Sequence, residues 1–228
     1  MYRAVVLQPE YEGNIGAIAR LVENFGIDEL CLVDPQCDIG GEAEQRAAHA
    51  TDRLRGARVV DDLGPVIDDL DYLIGTTGIK AGEENVLRHG SPPRTVLDGI
   101  PADADVGLLL GREGTGLSNA ELDRCDAVVT VQTTDDYPVM NLSHAAAVLF
   151  HELHRAERGG AGASSRERRA ALDNLFKRVI DSLDWDETRS ERTVRAFRNV
   201  LGRAYVTDRE LQLLLGAFRE TRDALGDG

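Results

Sequence analysis

Three short segments carry residue types on which chemistry can be built. The first, GNIGAIAR from Gly13 to Arg20, ends in an arginine. If Asn14 opens a helix reaching Phe25, then Ile15, Ile18, Val22 and Phe25 share one face and Arg20 lies off it. Helical side chains lean toward the N-terminus, so Arg20 leans over Gly16, where the missing Cβ leaves room for a ligand. A glycine inside a helix costs about 1 kcal/mol against alanine, which argues for a purpose; the plainer reading is a solvated arginine beside a tolerated glycine. The second segment, GREGTGLSNAEL from Gly111 to Leu122, follows an apolar run and leads into a helix, a setting in which backbone N–H groups cradle a ligand. It is not a Walker A loop, because Leu117 stands where a lysine must reach the phosphates. A dinucleotide fingerprint starting at Gly114 also fails, since Asn119 takes the place of the third glycine. The third segment, YPVMNLSHAAAV from Tyr137 to Val148, carries Asn141 just ahead of a helix of small, close-packing residues.

Elements that can position these segments are visible in the hydrophobic pattern. Short β-rich runs recur at Arg3–Leu7, Glu29–Val33, Ala57–Val60, Asp71–Gly75, Val106–Leu110 and Ala127–Val131, with helical periodicity between most of them. This predicts an α/β fold with a mainly parallel sheet and helices on both faces. The runs VGLLL and AVVTV are apolar without alternation, as strands covered on both faces should be. The stretch from Lys80 to Arg94, with Gly82, Gly90 and Pro92-Pro93, reads as a long loop near the site. ERGGAGASSRER, from Glu157 to Arg168, reads as flexible. The expected organisation is therefore a domain over 1–157, a linker over 158–165 and a small helical extension over 166–228. In that extension Ala170–Leu183, Thr188–Leu201 and Asp208–Leu225 are helical in period, the last capped by Asp208 or Thr207. Arg189, Arg192, Arg195 and Arg198 wind around the second of these helices, while Val194, Phe197 and Leu201 supply its buried side. Those arginines either grip phosphates of a partner or pair with the chain's own acids.

In this order and at this spacing, the three segments resemble the signature motifs of the SPOUT class of RNA methyltransferases, most of all the TrmJ group of the TrmH-like family. The resemblance spans residues 1 to about 155 of the 228. It implies a trefoil knot at the C-terminal side of the α/β domain, an exception to the rule against threaded loops. It also implies S-adenosyl-L-methionine as cofactor, and a homodimer sharing its active sites between subunits. The implied reaction is methylation of a tRNA ribose 2'-hydroxyl at the first nucleotide of the anticodon loop, a cytidine or uridine. The alternatives are rRNA or another tRNA site, and a non-catalytic RNA-binding or assembly protein that keeps the fold.

Carried over residue by residue, the resemblance places catalysis on Arg20, Asn14, Glu113 and Asn141. It places cofactor contacts on Thr76, Thr77, Gly78, Gly111, Val131, Pro138, Val139 and Met140. Two departures stand out: IGTTGIKAG occupies the place of a TSAR-like sequence, and Val139 replaces the usual serine two positions before the asparagine, so that hydroxyl is missing. Glu113 is implied to orient Arg20 or to face the sulfonium charge; read locally, it is an acid favoured by a helix N-terminus.

Composition sets the remaining expectations. With 42% hydrophobic residues the chain can bury one substantial core and a small second one. It has no run of eighteen apolar residues and no signal-peptide pattern in MYRAVVLQPE, so a cytoplasmic protein without membrane partners is expected. Cys31, Cys37 and Cys125 lack paired spacing and read as small hydrophobes. No metal is expected either, and His144, His151 and His154 read as surface or dimer-facing residues. The net charge of −14, with only Lys80 and Lys177 as lysines, is a salt-adapted composition. Such acidity ordinarily opposes a nucleic-acid partner. At about 1 M salt, however, the Debye length is about 3 Å, so distant carboxylates barely repel RNA while contacting arginines still bond phosphates.

Overall fold

In the computed structural model, which describes residues 1–78, 90–156 and 166–226, the six apolar runs form one parallel sheet. Its strands are β1 (Tyr2–Leu7), β2 (Glu29–Val33), β3 (Arg58–Val60), β4 (Tyr72–Thr76), β5 (Val106–Leu110) and β6 (Ala127–Val129), in the order β3-β2-β1-β5-β4-β6. Between the strands lie α1 (Glu12–Phe25), α2 (Gly41–Ala47), α3 (Thr51–Arg55), α4 (Gly64–Asp68), α5 (Pro93–Leu97) and α6 (Asn119–Asp123). After the sheet come α7 (Leu142–Arg155), α8 (Arg166–Asp181), α9 (Glu187–Ala204) and α10 (Asp208–Gly226).

Alternate residues of each strand enter different cores, which is the period-2 geometry of a strand. Ala4, Val6, Leu30, Leu32, Tyr72 and Ile74 face a core closed by α1, α2, α3, α5 and α7. Val5, Leu7, Cys31, Val33 and Leu73 face the other, closed by α4 and α6. Because both faces are covered, the strands show no polar alternation in sequence. β6 stops at Val129, short of the predicted run, because the next residue bonds elsewhere: Thr130 N–H donates to the Ser91 carbonyl at 3.0 Å. The predicted long loop ends sooner than Arg94, with Pro93 opening α5 where its missing N–H costs nothing. Its residues 80–89, like the expected linker 158–165, lie outside the described residues.

The last three helices share a core of Leu172, Leu201, Val206 and Leu211, against which Phe197 and Phe218 pack. Phe176 stacks on Phe197 with centroids 4.0 Å apart and meets Phe218 edge-on at 5.3 Å. Thr207, rather than Asp208, caps α10. Its hydroxyl accepts from Glu210 N–H at 3.3 Å while the Glu210 carboxylate accepts from Thr207 N–H at 2.7 Å. These helices also press on the sheet. A Cβ on Gly202 would lie 1.9 Å from the Asp126 carbonyl oxygen, so only glycine permits α9 to come this close. Arg169 lies over the Tyr72 ring at 3.8 Å, and the Tyr205 hydroxyl donates to the Val96 carbonyl.

Two of the α9 arginines are committed to their own chain. Arg195, 5% exposed, donates to the Leu122 carbonyl at 2.7 Å and the Asp123 carbonyl at 3.2 Å, and Arg198 donates to the Asp123 carbonyl at 2.7 Å and pairs with Asp173 at 2.6 Å. Both therefore cap the C-terminal end of α6. Arg189 lies over the Trp185 ring at 3.8 Å, and Arg192 is exposed. Among the described residues, no helix is long and apolar enough to cross a membrane.

Candidate active site

All strands being parallel, their C-terminal ends share one edge, the usual location of a ligand site in such sheets. There the ends of β4, β5 and β6 and the start of α7 enclose a cleft of about 880 Å³, counted to the open solvent. All eight positions expected to touch a cofactor line it: Thr76, Thr77 and Gly78 after β4, Gly111 after β5, Val131 beyond β6, and Pro138, Val139 and Met140 ahead of α7.

Local bonds explain why these segments meet. The Thr76 hydroxyl donates to the Leu109 carbonyl at 2.9 Å, and Thr77 N–H donates to the Val129 carbonyl at 3.0 Å, which ties the end of β4 to both neighbours. Gly78 faces the turn before α7, where a Cβ would stand 3.8 Å from Val139 Cα. That turn is fastened by the Thr133 hydroxyl, which donates to the Pro138 carbonyl at 3.0 Å. Sequence reasoning missed Leu142, Ala145 and Leu149, which also line the cleft. Their 3, 4 spacing was the available signal, since it places them on one face of α7.

The glycine loop folds back on itself. A Cβ on Gly111 would lie 2.5 Å from the Gly116 carbonyl carbon, and Gly116 adopts φ +67°, so each position requires glycine for its own reason. Arg112 and Gly116 exchange backbone hydrogen bonds of 3.3 and 3.0 Å. The Arg112 guanidinium makes two bonds to the Glu121 carboxylate, at 2.8 and 3.1 Å, and another to the Gln8 side-chain carbonyl. Ser118 caps α6, and Glu121 completes the box by accepting from Ser118 N–H at 2.7 Å. Burial alone would push the Glu121 carboxyl up; the donors of Arg112 and Ser118 outweigh it and hold the group below the usual carboxylate range.

The four residues expected to be catalytic are not all gathered within one chain. Glu113 accepts from Asn14 Nδ2 at 3.2 Å and from Glu10 N–H at 3.0 Å. It therefore holds Asn14 rather than Arg20. Nor is it the first-turn acid of a helix, for α6 begins only at Asn119 and that place belongs to Glu121. Asn141 caps α7, its oxygen accepting from Ser143 N–H at 2.9 Å. Asn14 and Asn141 line a second depression together with Tyr11, Ala17, Ser143 and His144. Arg20 is exposed on α1 and lines neither hollow. Gly16 does not serve to make room beside it: a Cβ there would lie 2.1 Å from the Ala43 carbonyl oxygen, so this glycine lets α1 and α2 touch. His154 sits with Nδ1 3.2 Å from the Phe25 carbonyl oxygen, and His151 meets the Phe25 ring edge-on.

Comparison with known proteins places this geometry among methyltransferases. A family model described as the SpoU rRNA methylase family matches residues 1–151. The chain is 33% identical over 227 residues to the tRNA (cytidine-2'-O-)-methyltransferase TrmJ of Methanocaldococcus jannaschii, an alignment covering 96% of this chain and 99% of that protein. The crystal structure of TrmJ from Z. mobilis ZM4 has a TM-score of 0.68 at 23% identity, over 96% of this chain and 98% of the other. The SpoU methyltransferase AviRb from Streptomyces viridochromogenes, in complex with the cofactor AdoMet, has a TM-score of 0.53 at 22% identity, over 67% and 59% of the two chains. At such identities the two structures speak for the fold. The family model and the Methanocaldococcus relative establish more: this chain belongs to the SpoU methylase family.

Proposed function

We propose that this protein is an S-adenosyl-L-methionine-dependent tRNA 2'-O-ribose methyltransferase that modifies the first nucleotide of the anticodon loop, a cytidine or uridine. It works as a homodimer. Its methyltransferase domain, residues 1–157, is closed by a trefoil knot and joined by the linker 158–165 to the helical extension 166–228. One observation carries this reading: eight positions nominated by the family resemblance, drawn from four separate stretches of chain, line a single cleft. The tRNA substrate is carried by the likeness to the Methanocaldococcus enzyme.

The residues present suit the cofactor. Leu117, Val129, Met140 and Leu149 offer apolar walls for an adenine ring. The Glu113 carboxylate at the cleft supplies charge opposite to a sulfonium. When bound, the cofactor supplies an activated methyl group, and the chain must then hold the ribose oxygen in line with it. Arg20 fixes the neighbouring phosphate and stabilises the developing alkoxide. A guanidinium offers donors and no acceptor, so a phosphate oxygen or water takes the hydroxyl proton. Because Arg20 lines neither the cleft nor the second depression of its own chain among the described residues, this role requires α1 of one subunit to meet the cleft of the other. The Glu113–Asn14 bond then registers α1 against the glycine loop within each subunit.

The deciding experiment incubates the protein with labelled S-adenosyl-L-methionine and unmodified tRNA at high salt, then locates the label by mass spectrometry. Ribose methylation in the anticodon loop is expected; a methylated base, or transfer only to rRNA, refutes the assignment. Arg20→Ala should abolish transfer and leave cofactor affinity nearly unchanged. Equal loss of both would reject the role given to Arg20.

A further inference from the structure

The loop Gly111–Gly116 contains three glycines in six residues, a composition that by itself favours many conformations. Packing does little to restrict its middle, since a Cβ on Gly114 would meet no heavy atom within 4 Å. Order must then come from polar ties, and most of them converge on one side chain. Arg112 grips both oxygens of Glu121 on α6, the Gln8 side chain just past β1, and the Gly116 carbonyl at 3.2 Å. Gln8 is itself held: it sits at φ +47° and donates its Nε2 to Asp34 at 2.5 Å. A continuous chain of bonds thus runs from Asp34 through Gln8, Arg112 and Glu121 to Ser118. The next residue, Glu113, is fastened in another direction, to Asn14 and the Glu10 N–H.

We propose that Arg112 is a positioning residue of the methyl-transfer site: with Glu121 and Gln8 it latches the glycine loop, and through that loop sets Gly111 and Glu113 against the cofactor. The proposal rests on the function given above and adds a residue outside the set named there. The planar guanidinium is required rather than the charge alone. It can satisfy a carboxylate through two parallel bonds while its Nε serves a third acceptor, which an ammonium cannot do in the same geometry.

Arg112→Lys therefore separates geometry from charge, and Glu121→Gln removes the partner's charge while keeping an acceptor for Ser118. Three quantities are compared with wild type: amide hydrogen exchange over residues 111–117 in cofactor-free protein, S-adenosyl-L-methionine affinity by calorimetry, and kcat and KM for tRNA. Exchange over 111–117 should rise on the order of tenfold in both variants, with α1 unaffected. Cofactor affinity should fall by about tenfold, and kcat should drop at saturating cofactor while KM for tRNA holds. A purely structural role would lower the melting temperature and spread faster exchange into β1 and α6 while leaving affinity intact; that pattern overturns the latch. Unchanged exchange over the loop overturns it too. A wild type that binds no S-adenosyl-L-methionine refutes the proposed function instead, and the latch is then decided by the exchange data alone.

Discussion

Replacing Gly16 with alanine tests what the glycine of the first motif is for. The added Cβ would lie 2.1 Å from the Ala43 carbonyl oxygen and 2.8 Å from Arg46 Cβ, whereas ordinary contact begins at 3.4 Å. Because the nearest atom is backbone in the middle of α2, no side-chain rotation relieves the clash. The two helices must part by roughly 1 Å, which loosens Ile15 and Ala19 against Ala43 and Ala47, all fully buried. Overpacking of this kind costs about 1–3 kcal/mol, offset by at most about 1 kcal/mol of helix propensity. For a chain of this size 1 kcal/mol shifts the melting temperature by about 2–4 °C, so a fall of several degrees is expected. Gly41→Ala is the matched control on α2, since nothing lies within 4 Å of its added Cβ; its melting temperature should hold or rise slightly. Calorimetric melting reads the loss, and cofactor titration well below the transition should find affinity unchanged. An alanine variant with wild-type melting but impaired cofactor or RNA binding would refute the packing argument and restore the reading of Gly16 as space for a ligand.

Arg195→Met should destabilise the protein by about 1–3 kcal/mol, because the Leu122 and Asp123 carbonyls lose a buried donor, whereas Arg192→Met on the exposed side should be neutral; denaturant melts of the pair check this. Glu121 is held below the usual carboxylate range, so its contribution to stability is present above the unfolded-state pKa and is lost as pH falls through the lower folded value. Glu121→Gln should accordingly flatten that acid limb in melts taken across the same window. Burial pushes the Cys31 thiol to about 11 and Cys125 to about 12. Iodoacetamide at pH 8 should therefore label the half-buried Cys37 first in native protein, as peptide mass mapping would reveal. Tyr205→Phe deletes the hydroxyl that bonds the Val96 carbonyl and should cost about 0.5–1.5 kcal/mol in the same melts.

What the sequence disclosed follows from how local each signal is. Strands buried on both faces announce themselves as unbroken apolar runs, and all six runs form strands, with ends shifted by a residue or two. The long helices carry their period over three or more turns and were readable for that reason. The five-residue helices α3 to α6 span too few turns for a period to emerge. The cleft was reachable only through the family resemblance, which carries residues over regardless of their distance along the chain. Pairings that depend on three-dimensional approach were not: nothing local says that Glu113 meets Asn14, 99 residues away, or that Gly16 opposes the Ala43 carbonyl. The arginine stripe on α9 left two readings open because charge periodicity does not say what faces it, and the turn carbonyls that Arg195 and Arg198 cover have no signature in sequence.

Those carbonyls also have a bearing on how the molecule is made. The groups of Leu122 and Asp123 find their arginine donors 72 to 75 positions later in the chain, and Asp126 is covered by the bare flank of Gly202. During vectorial synthesis at about 5–20 residues per second, the last strand emerges several seconds before the helix that completes its border. For that interval the nascent sheet carries an unfinished rim at the edge where β6 begins, opposite its cleft. Only when α9 arrives can the chain seal that border.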